Sequence, residues 1–170
     1  MKKISFQNDV LPLKNKLYRL ALRITLRKED AEDIVQETLI KVWNRRETWD
    51  RIDDMEAFCL TIARNLALDC IKRSGHDNPS IDELAHIEPP ATSDPYQKTA
   101  QRDRIEIVRT IIDSLPEKQK SCMQLRDFEG KAYKEIADIL QISEEQVKIN
   151  IFRARQTLKN RYEKIESHGV

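Results

Sequence analysis

Apolar residues recur along most of this chain at three- and four-residue intervals, the spacing that lines one face of an α-helix. The N-terminal block parses into about four helices. Leu13, Leu17, Leu20, Ala21 and Ile24 mark a first helix near residues 10–26, and Ala31, Ile34, Val35, Leu39 and Val42 a second over about 28–46. Glu29 and Asp30 in the first turn of that second helix suit the positive end of its dipole. A polar loop at 49–54 leads to a third helix over about 55–73, with Phe58, Ile62, Leu66 and Ile71 facing inward. Further on, residues 102–114 are amphipathic, and Pro116 opens a helix at Glu117 that stops near Glu129-Gly130.

The last patterned stretch, 133–158, reads as two helices joined by a tight turn. Ile136, Ala137 and Leu140 line the first, and Val147, Ile151, Ala154 and Leu158 the second. Gln141-Ile142-Ser143 lies between them, and Ser143 followed by Gln146 is a capping-box pattern for the second start. From Val147 to Arg161 there is no acidic residue, but Lys148, Arg153, Arg155, Lys159 and Arg161 are present. A small helix pair with one basic helix is the geometry of a helix-turn-helix that reads the DNA major groove.

Composition supports an all-α chain: charged residues make up 35%, aromatics 6%, and there are three glycines. The net charge of +1 is unevenly spread, with residues 1–75 at +3, 76–101 at −4 and 102–170 at +2. The acidic stretch holds Pro79, Pro89, Pro90 and Pro95, which deny it a continuous helix. It reads as a flexible linker, with Ile81, Leu84 and Ile87 able to dock weakly. Two small helical domains follow, residues 1–75 and 102–170, the second containing the helix-turn-helix.

Cys59, Cys70 and Cys122 are scattered, without a CxxC pair, which argues against a disulfide framework or zinc site and fits a reducing cytoplasm. No apolar run approaches the ~20 residues that span a bilayer. With no signal peptide, these features predict a cytoplasmic protein with no membrane insertion. The sequence has no Gly-rich phosphate loop, metal-spaced cluster or nucleophile arrangement, so neither an enzyme nor a cofactor is expected.

Three segments in order, DAEDIVQETLIKVW (30–43), AFCLTIARNLALDCIKR (57–73) and SLPEKQKSCMQLRDFEGKAYKEIADIL (114–140), carry a family resemblance. The chain resembles the extracytoplasmic-function (ECF) sigma factors, promoter-specificity subunits of bacterial RNA polymerase, over about 5–75 and 102–162. The resemblance implies that the N-terminal domain binds core RNA polymerase and the promoter's minus-ten element. The C-terminal domain would read the minus-thirty-five element, and an anti-sigma factor would regulate both. Asp33, Gln36 and Glu37 match the clamp-facing positions, and their i, i+3, i+4 spacing puts them on one helix face.

Asn65 matches the position contacting an extruded minus-ten base, where an amide can both donate and accept, and Arg64, Lys72 and Arg73 would meet phosphates. Trp43 is expected in the core, whereas Trp49 stands between single-strand contact and packing. Lys148, Ile149, Phe152 and Arg153 match the minus-thirty-five reading positions, with Arg155, Lys159 and Arg161 expected at phosphates.

Four positions depart from the family pattern. Cys59 replaces a common tryptophan, Ala132 a capping serine or threonine, Ile149 a small polar residue and Glu145 a frequent glycine. The competing reading is a stand-alone helix-turn-helix regulator whose N-terminal helices dimerise or sense, binding a palindrome without polymerase. The Asp33, Gln36, Glu37 face joined to the IARN helix favours the sigma factor, since a simple repressor has no use for it.

Overall fold

A computed structural model of the chain describes residues 3–74 and 97–168. Among them the helices are α1 (Lys14–Thr25), α2 (Lys28–Asn44), α3 (Met55–Ser74), α4 (Gln97–Asp113), α5 (Glu117–Met123), α6 (Tyr133–Leu140) and α7 (Glu144–His168), with no strand. The N-terminal block thus has three α-helices plus short turns rather than about four helices. Its first 3-10 turn, Leu11–Leu13, holds Pro12. Helix α4 starts at Gln97, ahead of the position expected from the amphipathic pattern alone. The connector's prolines and Ile81, Leu84 and Ile87 lie outside the described residues.

Local chemistry sets the helix ends. α1 stops where Leu26 takes a left-handed conformation at φ 62° and its N–H bonds to the Leu22 carbonyl. Asp54 Oδ1 accepts the Ala57 N–H at 3.1 Å, satisfying an otherwise unpaired donor at the start of α3. After α5 comes a π-helical turn, Gln124–Phe128, and two residues beyond it Gly130 has a φ of 69°, which favours a residue without a side chain.

The helix-turn-helix forms as its sequence dictates. Ala132 precedes α6 without a side-chain cap, so its departure from the family pattern does remove that bond. Gln141 turns the chain at φ 58°. Ser143 Oγ accepts the Gln146 N–H at 3.1 Å and Gln146 Oε1 accepts the Ser143 N–H at 3.1 Å, the reciprocal capping box expected.

One buried apolar cluster runs from α1–α3, through Leu17, Leu20, Ile34, Leu60 and Ala63, into Leu125, Ile136, Leu140, Val147 and Ile151 of the C-terminal block. A smaller cluster joins Ile112, Leu115, Met123 and Ala154. Helix α3 packs against α6, and α1 against α5, so the two halves share a core.

Candidate polymerase and promoter interface

Helix α2 divides cleanly into two faces. Ala31, Ile34, Val35, Thr38 and Val42 are buried, and the Thr38 hydroxyl donates to the Ile34 carbonyl at 2.7 Å. Asp33, Gln36 and Glu37 stand exposed on the opposite side. Glu37 also borders a shallow groove lined by Lys41, Leu66, Asp69, Lys72 and Arg73, so acids and bases alternate where α2 meets α3.

On α3, Asn65, Lys72 and Arg73 are exposed, as contact with DNA requires. Arg64 is not. It is 7% exposed, and its guanidinium donates to both Glu117 oxygens, at 3.0 and 3.2 Å, and to the Leu140 carbonyl at 3.2 Å. The reading of Arg64 as a freely available phosphate contact is therefore corrected for this conformation: a carboxylate fills its donor fork.

The two tryptophans also exchange places. Trp49 is buried and its Nε1–H donates to the Val42 carbonyl at 3.0 Å, which removes it as an open stacking platform. Trp43, expected in the core, is 45% exposed, with the Arg46 guanidinium 4.7 Å from its ring centroid. The cause is local. Val42 faces inward, so its successor is rotated away by about 100°, and the 3-10 turn Arg46–Arg51 folds Trp49 back beneath α2. Phe6 stacks on Trp49 and meets Trp43 edge-on, completing an aromatic cluster.

Along α7, Val147, Ile151 and Ala154 point into the cores, while Lys148, Ile149, Phe152 and Arg153 face solvent. Phe152 is 63% exposed and Ile149 46%, large apolar surface to leave in water on an otherwise basic helix. Lys148 Nζ lies 5.8 Å from the Tyr133 ring centroid. Arg155 pairs with Asp127, and that hydrogen bond raises the Arg155 pKa. Lys159 is exposed, and Arg161 donates to Ser114 Oγ at 2.8 Å. Of the three α7 residues expected at phosphates, Arg155 and Arg161 are thus held by protein partners, and Lys159 stands exposed.

Two family models match the chain. The model for Sigma-70 region 2 matches residues 10–76, and that for Sigma-70 region 4 matches 105–158. The ECF RNA polymerase sigma-E factor of Haemophilus influenzae is 30% identical over 169 residues, covering 94% of this chain and 88% of that protein. The chain belongs to the ECF sigma factors. ECF sigma factor SigE of Mycolicibacterium smegmatis is 29% identical, the match spanning 86% of this chain but 57% of the longer relative. A sigma factor RpoE solved in complex with the anti-sigma factor NepR from Bartonella quintana shares the fold, at TM-score 0.71 and 22% identity over 93% of this chain and 96% of that one. Membership displaces the stand-alone regulator as a reading of this ECF sigma factor.

Several residues that organise the sigma factor carried no local signal in the sequence. Glu117 and Glu129 each hold an arginine of the N-terminal block. Glu56 accepts both Lys16 and Lys131 at 2.8 Å; burial pushes its pKa up, but the two lysines more than offset this and leave it below the usual carboxylate range. Cys59 and Cys122 are buried, which pushes both thiols up to about 12 and leaves them unreactive near neutrality. Among the described residues no group of His, Cys, Asp or Glu is arranged to hold a metal, and no helix is long and apolar enough to cross a membrane.

Proposed function

We propose that residues 1–75 of this sigma factor bind core RNA polymerase and the minus-ten element, and that residues 102–170 read the minus-thirty-five element. Residues 76–101 join the two. The observation that carries this division is the pair of faces left exposed by the packing. Asp33, Gln36 and Glu37 form an acidic docking face on α2, and Lys148, Ile149, Phe152 and Arg153 a mixed basic and apolar face on α7. Asn65 holds an extruded minus-ten base by its amide, with Lys72 and Arg73 at the neighbouring phosphates. Opened DNA is trapped in this way without ATP. The chain itself catalyses nothing; synthesis belongs to the polymerase.

On α7, Arg153 is suited to a bidentate guanine contact, and Ile149 with Phe152 to thymine methyl groups. Lys159 meets phosphate, with Arg155 joining it once released from Asp127. An anti-sigma factor is the proposed regulator, and the cytoplasm the proposed site of action.

The docking face has a direct test. Asp33→Lys with Glu37→Lys is expected to weaken binding to core polymerase about tenfold, measured by fluorescence titration, while the melting temperature stays within a degree or two. Both carboxylates are exposed, so retained affinity would remove α2 from the interface.

A further inference from the structure

Lys41 closes a row of exposed side chains on α2, following Asp33 and Glu37 at four-residue intervals. It lines the groove between α2 and α3 together with Lys72 and Arg73 from the last turn of α3. All three cations are exposed, and among the described residues none of them donates to a protein acceptor. This sets them apart from Arg19, Arg23, Arg64 and Arg155, each of which is held by a carboxylate. Glu37 and Asp69 complete the polar lining, so three cations against two carboxylates leave the groove at +1. Leu66 is the sole apolar residue of that lining, which offers little to an apolar partner.

The groove continues the face of α3 that carries Asn65. Asn65, Asp69, Lys72 and Arg73 fall at i, i+4, i+7 and i+8, within about 100° of arc on a helix. The step from Asn65 to Lys72 is a rise of roughly 10 Å. A strand whose base is held at Asn65, with its backbone running toward the C-terminal end of α3, therefore brings a neighbouring phosphate to the groove. Lys72 and Arg73 stand on one wall there, and Lys41 is the only cation of the lining on the other. Cations on two walls fix the path of a backbone, which cations on one helix face do not.

We propose that the α2–α3 groove is a phosphodiester site, in which Lys41 holds the opened strand from α2 opposite Lys72 and Arg73. The site rests on the assignment of Asn65, Lys72 and Arg73 to minus-ten DNA, and adds to it a second wall on another helix. Glu37 and Asp69 oppose an anion in the same lining, so the site takes a singly charged phosphodiester and holds it loosely.

The test is binding of the full chain to two labelled DNA single strands of unrelated sequence, followed by fluorescence anisotropy across a salt series. Lys41→Gln is expected to weaken both equally, about fivefold at about 0.1 M salt. It should also lower the slope of log K against log salt by about 0.7, the signature of one lost phosphate contact on a single strand. Lys41→Arg should keep both properties, and Glu37→Gln should tighten binding about twofold by removing a like charge. Lys41 also lies in the last turn of α2, where a cation favours the helix dipole. A role confined to the helix would lower the melting temperature and leave the salt slope in place, which would overturn the proposal. Lys72→Gln with Arg73→Gln separates the new wall from the reading beneath it. If that variant loses affinity and slope while Lys41→Gln keeps both, Lys41 is removed from the site and the minus-ten assignment stands. If neither variant changes binding, the assignment of the end of α3 to DNA falls together with the groove. Affinity lost for one sequence only would likewise remove Lys41 from phosphate.

Discussion

Lys148→Ala with Arg153→Ala is expected to lower promoter-specific transcription by about a hundredfold or more while leaving thermal unfolding unchanged. Both side chains are exposed on the solvent face of α7, opposite the buried Val147, Ile151 and Ala154, so their removal opens no cavity. A bidentate arginine to guanine contact contributes about 1–3 kcal/mol of discrimination, and loss of a lysine at phosphate weakens binding without changing sequence preference. Arg155→Ala should do less, because Asp127 already holds that guanidinium and DNA gains only the difference. Run-off transcription beside a melting curve measures both effects. Unchanged transcription would remove this face of α7 from promoter reading.

Lys120→Met is expected to stabilise the protein by roughly 3 kcal/mol near pH 7. Lys120 is fully buried and its Nζ has no hydrogen-bond partner. Burial is the main cause that lowers its pKa to about 8, opposed by Asp113 and Glu117 and reinforced by the nearby Arg23. Asp113 is itself pushed up by burial, against the pull of Arg23. Methionine fills a similar volume without the charge, and Asp113 and Glu117 keep Arg23 and Arg64 as partners.

The pH dependence has a definite sign. The folded pKa near 8 lies below the ordinary 10.5. Below pH 8 the lysine is charged in both states and its burial carries the full cost. Between 8 and 10.5 the unfolded chain binds the extra proton, so the wild type gains stability with rising pH. The advantage of methionine should therefore be flat below pH 8 and shrink above it, as read by denaturant unfolding at several pH values. A less stable variant, or a difference independent of pH, would mean that the buried ammonium is satisfied.

What the sequence disclosed, and what it hid, divides by the range of the interaction. Helices α2, α3, α6 and α7 were legible from apolar periodicity, and the Ser143–Gln146 box from two residues three apart, because each is a local pattern. The exposed sites Asp33, Gln36, Glu37, Asn65, Lys148 and Arg153 fall on solvent faces for the same reason. The docking of the two halves was not legible. Its pairs join residues 53 to 110 apart in the chain, and no periodicity reports such a contact. Arg64 looked like a free cation because Glu117 is remote in sequence. Trp43 and Trp49 were exchanged because a 3-10 turn, which has no apolar period of its own, decides which indole turns inward.

Transcription from a library of native promoters, with purified bacterial core polymerase and this protein as the sole added specificity factor, tests the central claim most directly. Promoter-specific transcripts that require the protein, and that disappear with Asn65→Ala or with Lys148→Ala and Arg153→Ala, are the predicted result. No transcripts, together with tight binding to a palindromic site in the absence of polymerase, would contradict it.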